Sequence, residues 1–239
     1  MLHIRAITLD LDDTLWEIAP VIQRAEAELW RWLERHCPAI AEKFSAEAAL
    51  EIREQIILEH WDRTHDFRYL RKMALRHMLD ACGYPDDFIE DAFNVFDVER
   101  NKVRLFPDVV PALEALAQHF TVIAVTNGNA NLQTIGIRHL FSDVVTAIDA
   151  GAAKPERLIF DEAVARAGVA AAETLHVGDH PEIDIVGAKE AGLCTAWMNR
   201  HGIAWPRHLP APDVIVASVG ELHGILEAAV QSRRAESGR

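Results

Sequence analysis

Three aspartates, Asp10, Asp12 and Asp13, crowd into LDLDDTLW (residues 9–16), directly after the apolar run IRAIT. Carboxylates packed this closely repel one another and resist burial, so the cluster calls for a cation or for proton-transfer chemistry. Further polar groups of the same kind follow later apolar runs: Thr126 and Asn127 end TVIAVTN, Lys154 stands after VVTAI, and Asp179 ends TLHVGD with Asp184 beyond it. Clustered carboxylates suit Mg2+, a hard cation that takes oxygen ligands and keeps waters and a substrate phosphate. On this reading Asp10, Asp179 and a backbone carbonyl at Asp12 hold the ion, and Asp184 supports the site. Thr126, backbone N–H groups, Lys154 and the Asn127 amide are then placed to bind phosphoryl or substrate oxygens.

For these residues to meet, their strands must lie in one sheet. Short β-rich runs stand at 4–10, 121–126, 144–148, 174–178, 194–198 and 213–217. Helical segments lie between them: VVPALEALAQ, 131–140, ERLIFDEAVARAG and IVGAKEAG, the last two stopped by Gly168 and Gly192. Strand alternating with helix predicts an α/β fold with a parallel sheet, whose ligands bind beyond the carboxyl ends of the strands. Residues 16–104 break the alternation with helical periodicity almost throughout. The expected organisation is an α/β core of 1–15 and 105–230, an inserted all-helical domain of 16–104, and a disordered tail, QSRRAESGR, at 231–239.

Composition narrows the function classes. The formal charge of −13, from 24 basic and 37 acidic residues, disfavours a nonspecific grip on nucleic acid or an anionic membrane. Cys37, Cys82 and Cys194 lie far apart without CxxC spacing, which argues against a disulfide framework or a structural zinc site. No run approaches the ~18 apolar residues of a membrane span. The expectation is a cytoplasmic protein, monomer or homodimer, for which small anionic substrates stay open where cations gather locally.

Four ordered motifs, DLDDT (10–14), VTN (125–127), KP (154–155) and GDHPEID (178–184), resemble those of the haloacid dehalogenase superfamily. The resemblance spans the core and implies a Rossmann-like fold, a helical cap that closes over substrate about linkers near Trp16 and Phe106, and Mg2+-dependent phosphate chemistry. Carried over by position, it implies that Asp10 is the nucleophile that forms an aspartyl phosphate and that Asp12 is the general acid and then base. Lys154 offsets charge on Asp10 and the phosphoryl group. Asp12 favours phosphate over halide, because family members that cleave carbon–halogen bonds lack this acid. Lys43, Lys72 and Lys102 are the lysines of the helical insert, and none has the context of a Schiff-base lysine.

A closer likeness, in DLDDTLWEIAPVI, TNGNAN and LHVGD, is to flavin mononucleotide phosphatase-type members. Flavin mononucleotide or a phosphorylated ribitylaminopyrimidine is therefore the expected substrate. A phosphomutase and a phosphorylation-dependent regulatory module share the motifs and stand as alternatives. Trp16 follows the first motif closely enough to stack on a planar substrate. Asp13 reads as a surface or helix-capping residue and His180 as solvent-facing; Trp30, Trp32 and Trp61 read as packing residues of the insert. Arg68 and Arg71 fit either an anionic substrate or a charged helix face.

Overall fold

In the computed structural model, residues 3–237 are described, with side chains through residue 231. Six parallel strands form one sheet: β1 (Ala6–Leu9), β2 (Thr121–Thr126), β3 (Asp143–Thr146), β4 (Thr174–Gly178), β5 (Cys194–Met198) and β6 (Val214–Val216), in the order β3-β2-β1-β4-β5-β6. Every residue of β1 and β4 is buried, as expected of central strands covered on both faces. The chain winds outward from β1 through β2 to β3, then returns to lay β4 on the other side of β1. The order therefore reverses between β1 and β4, where sheets of this kind open a crevice at the strands' carboxyl ends.

Five helices form the insert: α1 (Ile18–His36), α2 (Pro38–Lys43), α3 (Ala46–Glu59), α4 (Phe67–Asp80) and α5 (Asp87–Arg100). On α1, Val21, Ala25, Leu29 and Leu33 recur every four residues and are buried, a stripe that gives the helix one apolar face. It packs with Phe93 and Phe96 of α5 and Leu75, Met78 and Leu79 of α4. Ser45 and Asp66 cap α3 and α4 by accepting the N–H groups of Ala48 and Tyr69. Trp30 and Trp32 pack against this core, but Trp61, expected to do the same, is 77 % exposed. It lies in the short turn after α3, where the helical spacing that would turn it inward has ended.

After the insert the chain forms α6 (Val109–Leu116), α7 (Leu132–Ile135), α8 (Ala147–Ala150), α9 (Arg157–Ala167), α10 (Gly187–Glu190) and α11 (Val219–Ser237). The helix expected over 131–140 is broken at Gly136 (φ 91°) into α7 and a tight turn at Arg138–Leu140. The strand expected at 144–148 ends at Thr146, because Thr146 and Asp149 form a reciprocal capping box that starts α8. A π-helical turn, Pro181–Val186, precedes α10. The backbone of 231–237, expected to be disordered, continues α11; residues 238–239 of that tail lie outside the described residues.

Two compact units result: Met1–Trp16, Arg104–Asn127 and Gly136–Arg239 form one, Glu17–Val103 and Gly128–Ile135 the other. The excursion of 128–135 into the helical unit is not legible in the sequence. Asn101 Oδ1 on the turn after α5 accepts the Asn131 N–H at 2.7 Å, and Asn129 donates to Asp97 at 3.3 Å, so this stretch is held by α5.

Candidate active site

The register of the sheet brings the sequence-predicted residues together. Leu9 pairs with Val177, and the Asp10 N–H extends that ladder to the Val177 carbonyl at 2.9 Å. Asp10 and Asp179 thus leave adjacent strands at the reversal point. One oxygen from each of Asp10, Asp179 and Asp184 lies within 4.8 Å of the others. Gly178 is what allows this: a Cβ there would stand 2.3 Å from Asp184 Cγ, so only glycine lets the Asp184 carboxylate lie over the end of β4. Asp184 Oδ2 also accepts the His180 N–H at 3.0 Å, which fixes the carboxylate against its own turn.

Lys154 lies between two of these acids, with Nζ at 2.5 Å from Asp10 Oδ1 and 2.7 Å from Asp184 Oδ1. One ammonium can neutralise only one of two buried carboxylates. Burial by itself would raise Asp184, but Lys154 and His176 outweigh it and hold Asp184 below the ordinary range. Asp10 goes the other way: burial, with Asp184 and Asp179 nearby, pushes it well above the carboxylate range despite Lys154. Burial would lower Lys154, yet the two aspartates raise it, so it stays charged. Asp179 is pushed up to about 7, by burial first and then by Asp184 and Asp13. The site is short of positive charge, and its donors are all carboxylate oxygens, the ligand type a hard divalent cation takes.

Asp12 stands outside that carboxylate cluster. The loop after β1 closes on itself: Asp13 adopts a left-handed conformation (φ 58°) and donates its N–H to the Trp16 carbonyl at 2.8 Å. Trp16 returns its indole N–H to Asp12 Oδ1 at 2.9 Å. The outgoing and returning connections pair at Trp16 and Leu105, and Arg200 clamps both by donating to the Thr14 carbonyl at 3.0 Å while forking onto Asp108 at 3.0 and 3.1 Å. The stacking role read for Trp16 fails on this geometry. The ring is fully buried, and its polar edge is used inside the loop.

Asn127 also differs from its expected role. Its Oδ1 accepts the Lys154 N–H at 2.7 Å and its Nδ2 donates to the Lys154 carbonyl at 2.8 Å, so both ends of the amide serve the lysine's backbone instead of an incoming phosphate. Thr126 is buried at the end of β2. His180 is exposed, as expected, and caps the π-helical turn by accepting the Glu182 and Ile183 N–H groups. In the helical unit Arg71 pairs with Glu26 at 2.9 Å and lies over the Phe96 ring, while Arg68 pairs with Asp97 at 3.4 Å. Internal ion pairs thus account for both arginines.

Sequence reasoning missed two supporting residues. His176, fully buried on β4, contacts Thr8 Oγ1 at 2.8 Å through Nδ1 and Asp184 Oδ1 at 3.4 Å through Nε2. Burial lowers its pKa, so it is neutral, and since ionised Asp184 can only accept, Nε2 carries the proton and Nδ1 receives that of Thr8. Trp197 on β5 donates to the Asp179 carbonyl at 2.7 Å and meets Trp205 edge to face. The signal for both was a polar or large aromatic residue inside an otherwise apolar strand run.

A doubly wound sheet with these acids and a lysine at its reversal point defines a class of hydrolase. The chain belongs to the haloacid dehalogenase-like hydrolase family, whose model matches residues 4–192. It is 30 % identical over 200 residues to the 5-amino-6-(5-phospho-D-ribitylamino)uracil phosphatase YigB of Escherichia coli, covering 82 % of this chain and 84 % of that protein. It is 30 % identical over 203 residues to a glyceraldehyde 3-phosphate phosphatase of Methanopyrus kandleri, covering 82 % and 84 %. Among solved structures, a 2-haloacid dehalogenase from Pseudomonas syringae superposes with a TM-score of 0.89 at 38 % identity, covering 94 % of this chain and 99 % of that one.

Proposed function

We propose that this protein is a divalent-metal-dependent phosphomonoester hydrolase that works through an aspartyl phosphate on Asp10. The observation that carries the reading is the pairing of a buried carboxylate cluster with Lys154, at the strand ends, beside a second acid, Asp12, held outside the cluster. Asp10, Asp179 and Asp184 would hold Mg2+, with the Asp12 carbonyl completing the set. When bound, the ion supplies the positive charge that keeps an anionic nucleophile and an anionic phosphate from repelling each other.

The chain's own residues then account for the reaction. An Asp10 carboxylate oxygen attacks phosphorus and the ester P–O bond breaks. Asp12 gives its proton to the departing alkoxide. Water next attacks the phosphorus of the acyl phosphate and gives a proton to Asp12. The bond to Asp10 breaks, releasing inorganic phosphate and restoring both carboxyl groups. Lys154 and the Thr126 hydroxyl bind the phosphoryl oxygens as charge builds on them.

The likeness to a 2-haloacid dehalogenase offers a second reading. Halide leaves as a stable anion and needs no proton, so a dehalogenase has no use for Asp12, whereas an alkoxide does. The carboxylate at position 12 therefore favours phosphate esters. The likeness to YigB supports a phosphorylated ribitylaminopyrimidine as the first ester to try, with flavin mononucleotide beside it. The test is release of phosphate from a panel of phosphomonoesters, with Mg2+ and with chelator, and of chloride from 2-chloropropionate. Metal-dependent phosphate release without chloride is expected; chloride release with no phosphate would reverse the assignment.

A further inference from the structure

The loop after β1 contains a hydrogen bond that the proposed reaction does not by itself require. Trp16 donates its indole N–H to Asp12 Oδ1 at 2.9 Å, while its backbone carbonyl receives the Asp13 N–H at 2.8 Å and Leu15 donates back to Leu11 at 2.8 Å. The ring cannot swing away. It is fully buried, its backbone is bridged to Leu105, and the neighbouring Thr14 carbonyl is held by Arg200, whose guanidinium also lies 3.9 Å from the Phe106 ring centroid. An indole nitrogen is a donor only, so the atom it touches must act as an acceptor.

We propose that Trp16 is a positioning residue for Asp12. By occupying Oδ1 it leaves the transferable proton on Oδ2, and it holds that oxygen in one orientation for the leaving group. The inference rests on the phosphatase reading and adds to it which oxygen of the acid works and which residue selects it. A general acid is useful only within hydrogen-bond reach of the proton's destination, so a donor that fixes the carboxylate plane acts on the step in which the ester bond breaks.

Dependence on the leaving group separates this role from simple packing. Nitrophenolate departs without a proton, whereas an alkoxide does not, and kcat/KM reports the steps up to the departure. For Trp16→Phe the expected result is a fall in kcat/KM of about tenfold or more on β-glycerophosphate, the size of a lost hydrogen bond to an acidic group, and of less than about threefold on p-nitrophenyl phosphate. Asp12→Asn should show the same bias more strongly. Site-specific benzothienylalanine at position 16, which replaces the N–H by sulfur in a ring of similar shape, removes the donor without opening a cavity and should reproduce the bias even where Trp16→Phe folds poorly.

Equal losses on both esters, or no loss on either, in the benzothienylalanine protein would overturn the assignment of Trp16. An Asp12→Asn protein with no leaving-group bias would instead remove the acid role of Asp12, and the inference with it. A bias in Asp12→Asn that is absent from both Trp16 variants would leave the phosphatase reading standing and reject Trp16 alone.

Discussion

The amide of Asn127 grips the backbone of Lys154 at both ends, accepting its N–H at 2.7 Å and donating to its carbonyl at 2.8 Å. Two neutral hydrogen bonds between residues 27 positions apart tie the end of β2 to the loop that carries the ammonium. Because the donor and the acceptor must each face its complement, the amide has one orientation, and so does the peptide that aims Lys154 at Asp10 and Asp184.

Asn127→Asp keeps the acceptor, loses the donor, and sets a carboxylate oxygen against the Lys154 carbonyl. One bond lost and one group left unpaired costs about 2 kcal/mol, a fall in Tm of roughly 4–8 °C. The rate should fall at least about tenfold as the ammonium loses its aim. Calorimetry and steady-state kinetics check both; an unchanged Tm would show that the pairing carries no load.

Lys154→Met should be worse for folding than removal of an ordinary surface lysine. Its ammonium is buried between Asp10 and Asp184, and withdrawing it leaves two carboxylates uncompensated. The expected destabilisation is about 3–5 kcal/mol, with loss of turnover. Adding Asp184→Asn to Lys154→Met should recover part of the stability without recovering the rate. Denaturant unfolding of the single and double variants measures the coupling.

How much of this was readable from the chain depended on whether a role was local. Asp10, Thr126 and Asp179 each end an apolar run, so their convergence followed from the parallel sheet alone. The partner of Asn127 could not be read, because Lys154 meets it only through the fold, and the same amide suits a phosphate equally well. The contact of Trp16 with Asp12 is hidden in the sequence for a similar reason. Its distance along the chain from Asp12 is small, but the left-handed turn at Asp13 that folds the ring back is not coded by a glycine. The excursion of 128–135 into the helical unit depends on Asp97 and Asn101, distant residues with no pattern of their own.

Metal-free protein should lose stability as pH rises through the weakly acidic range. Burial above all pushes the Asp179 carboxyl up to about 7 in the folded chain, well above the ordinary carboxylate range. A carboxyl group whose folded pKa is raised favours the folded state fully below its unfolded pKa, and that contribution is lost as pH rises through the folded value, here from about 4 to about 7. With chelator present, the difference in Tm between wild type and Asp179→Asn should shift against wild type over that window, and Mg2+ should reverse it. A difference that does not vary with pH would refute the raised value.

Gly178→Ala tests the approach of Asp184 to the strand end. The added methyl would stand 2.3 Å from Asp184 Cγ, with no flexible tip to give way. Displacing that carboxylate should destabilise the fold by about 1–3 kcal/mol and weaken Mg2+ binding, measured by calorimetric titration. Retained metal affinity would place Asp184 outside the ion's reach.

In the proposed reaction the phosphoryl group passes through Asp10. Acid-quenching the enzyme during turnover of a radiolabelled phosphomonoester with Mg2+, followed by peptide mapping, tests it directly. Label is expected on the peptide containing Asp10, lost on chase with unlabelled ester and absent from Asp10→Asn. Turnover that proceeds with no labelled protein, and that survives Asp10→Asn, would contradict it.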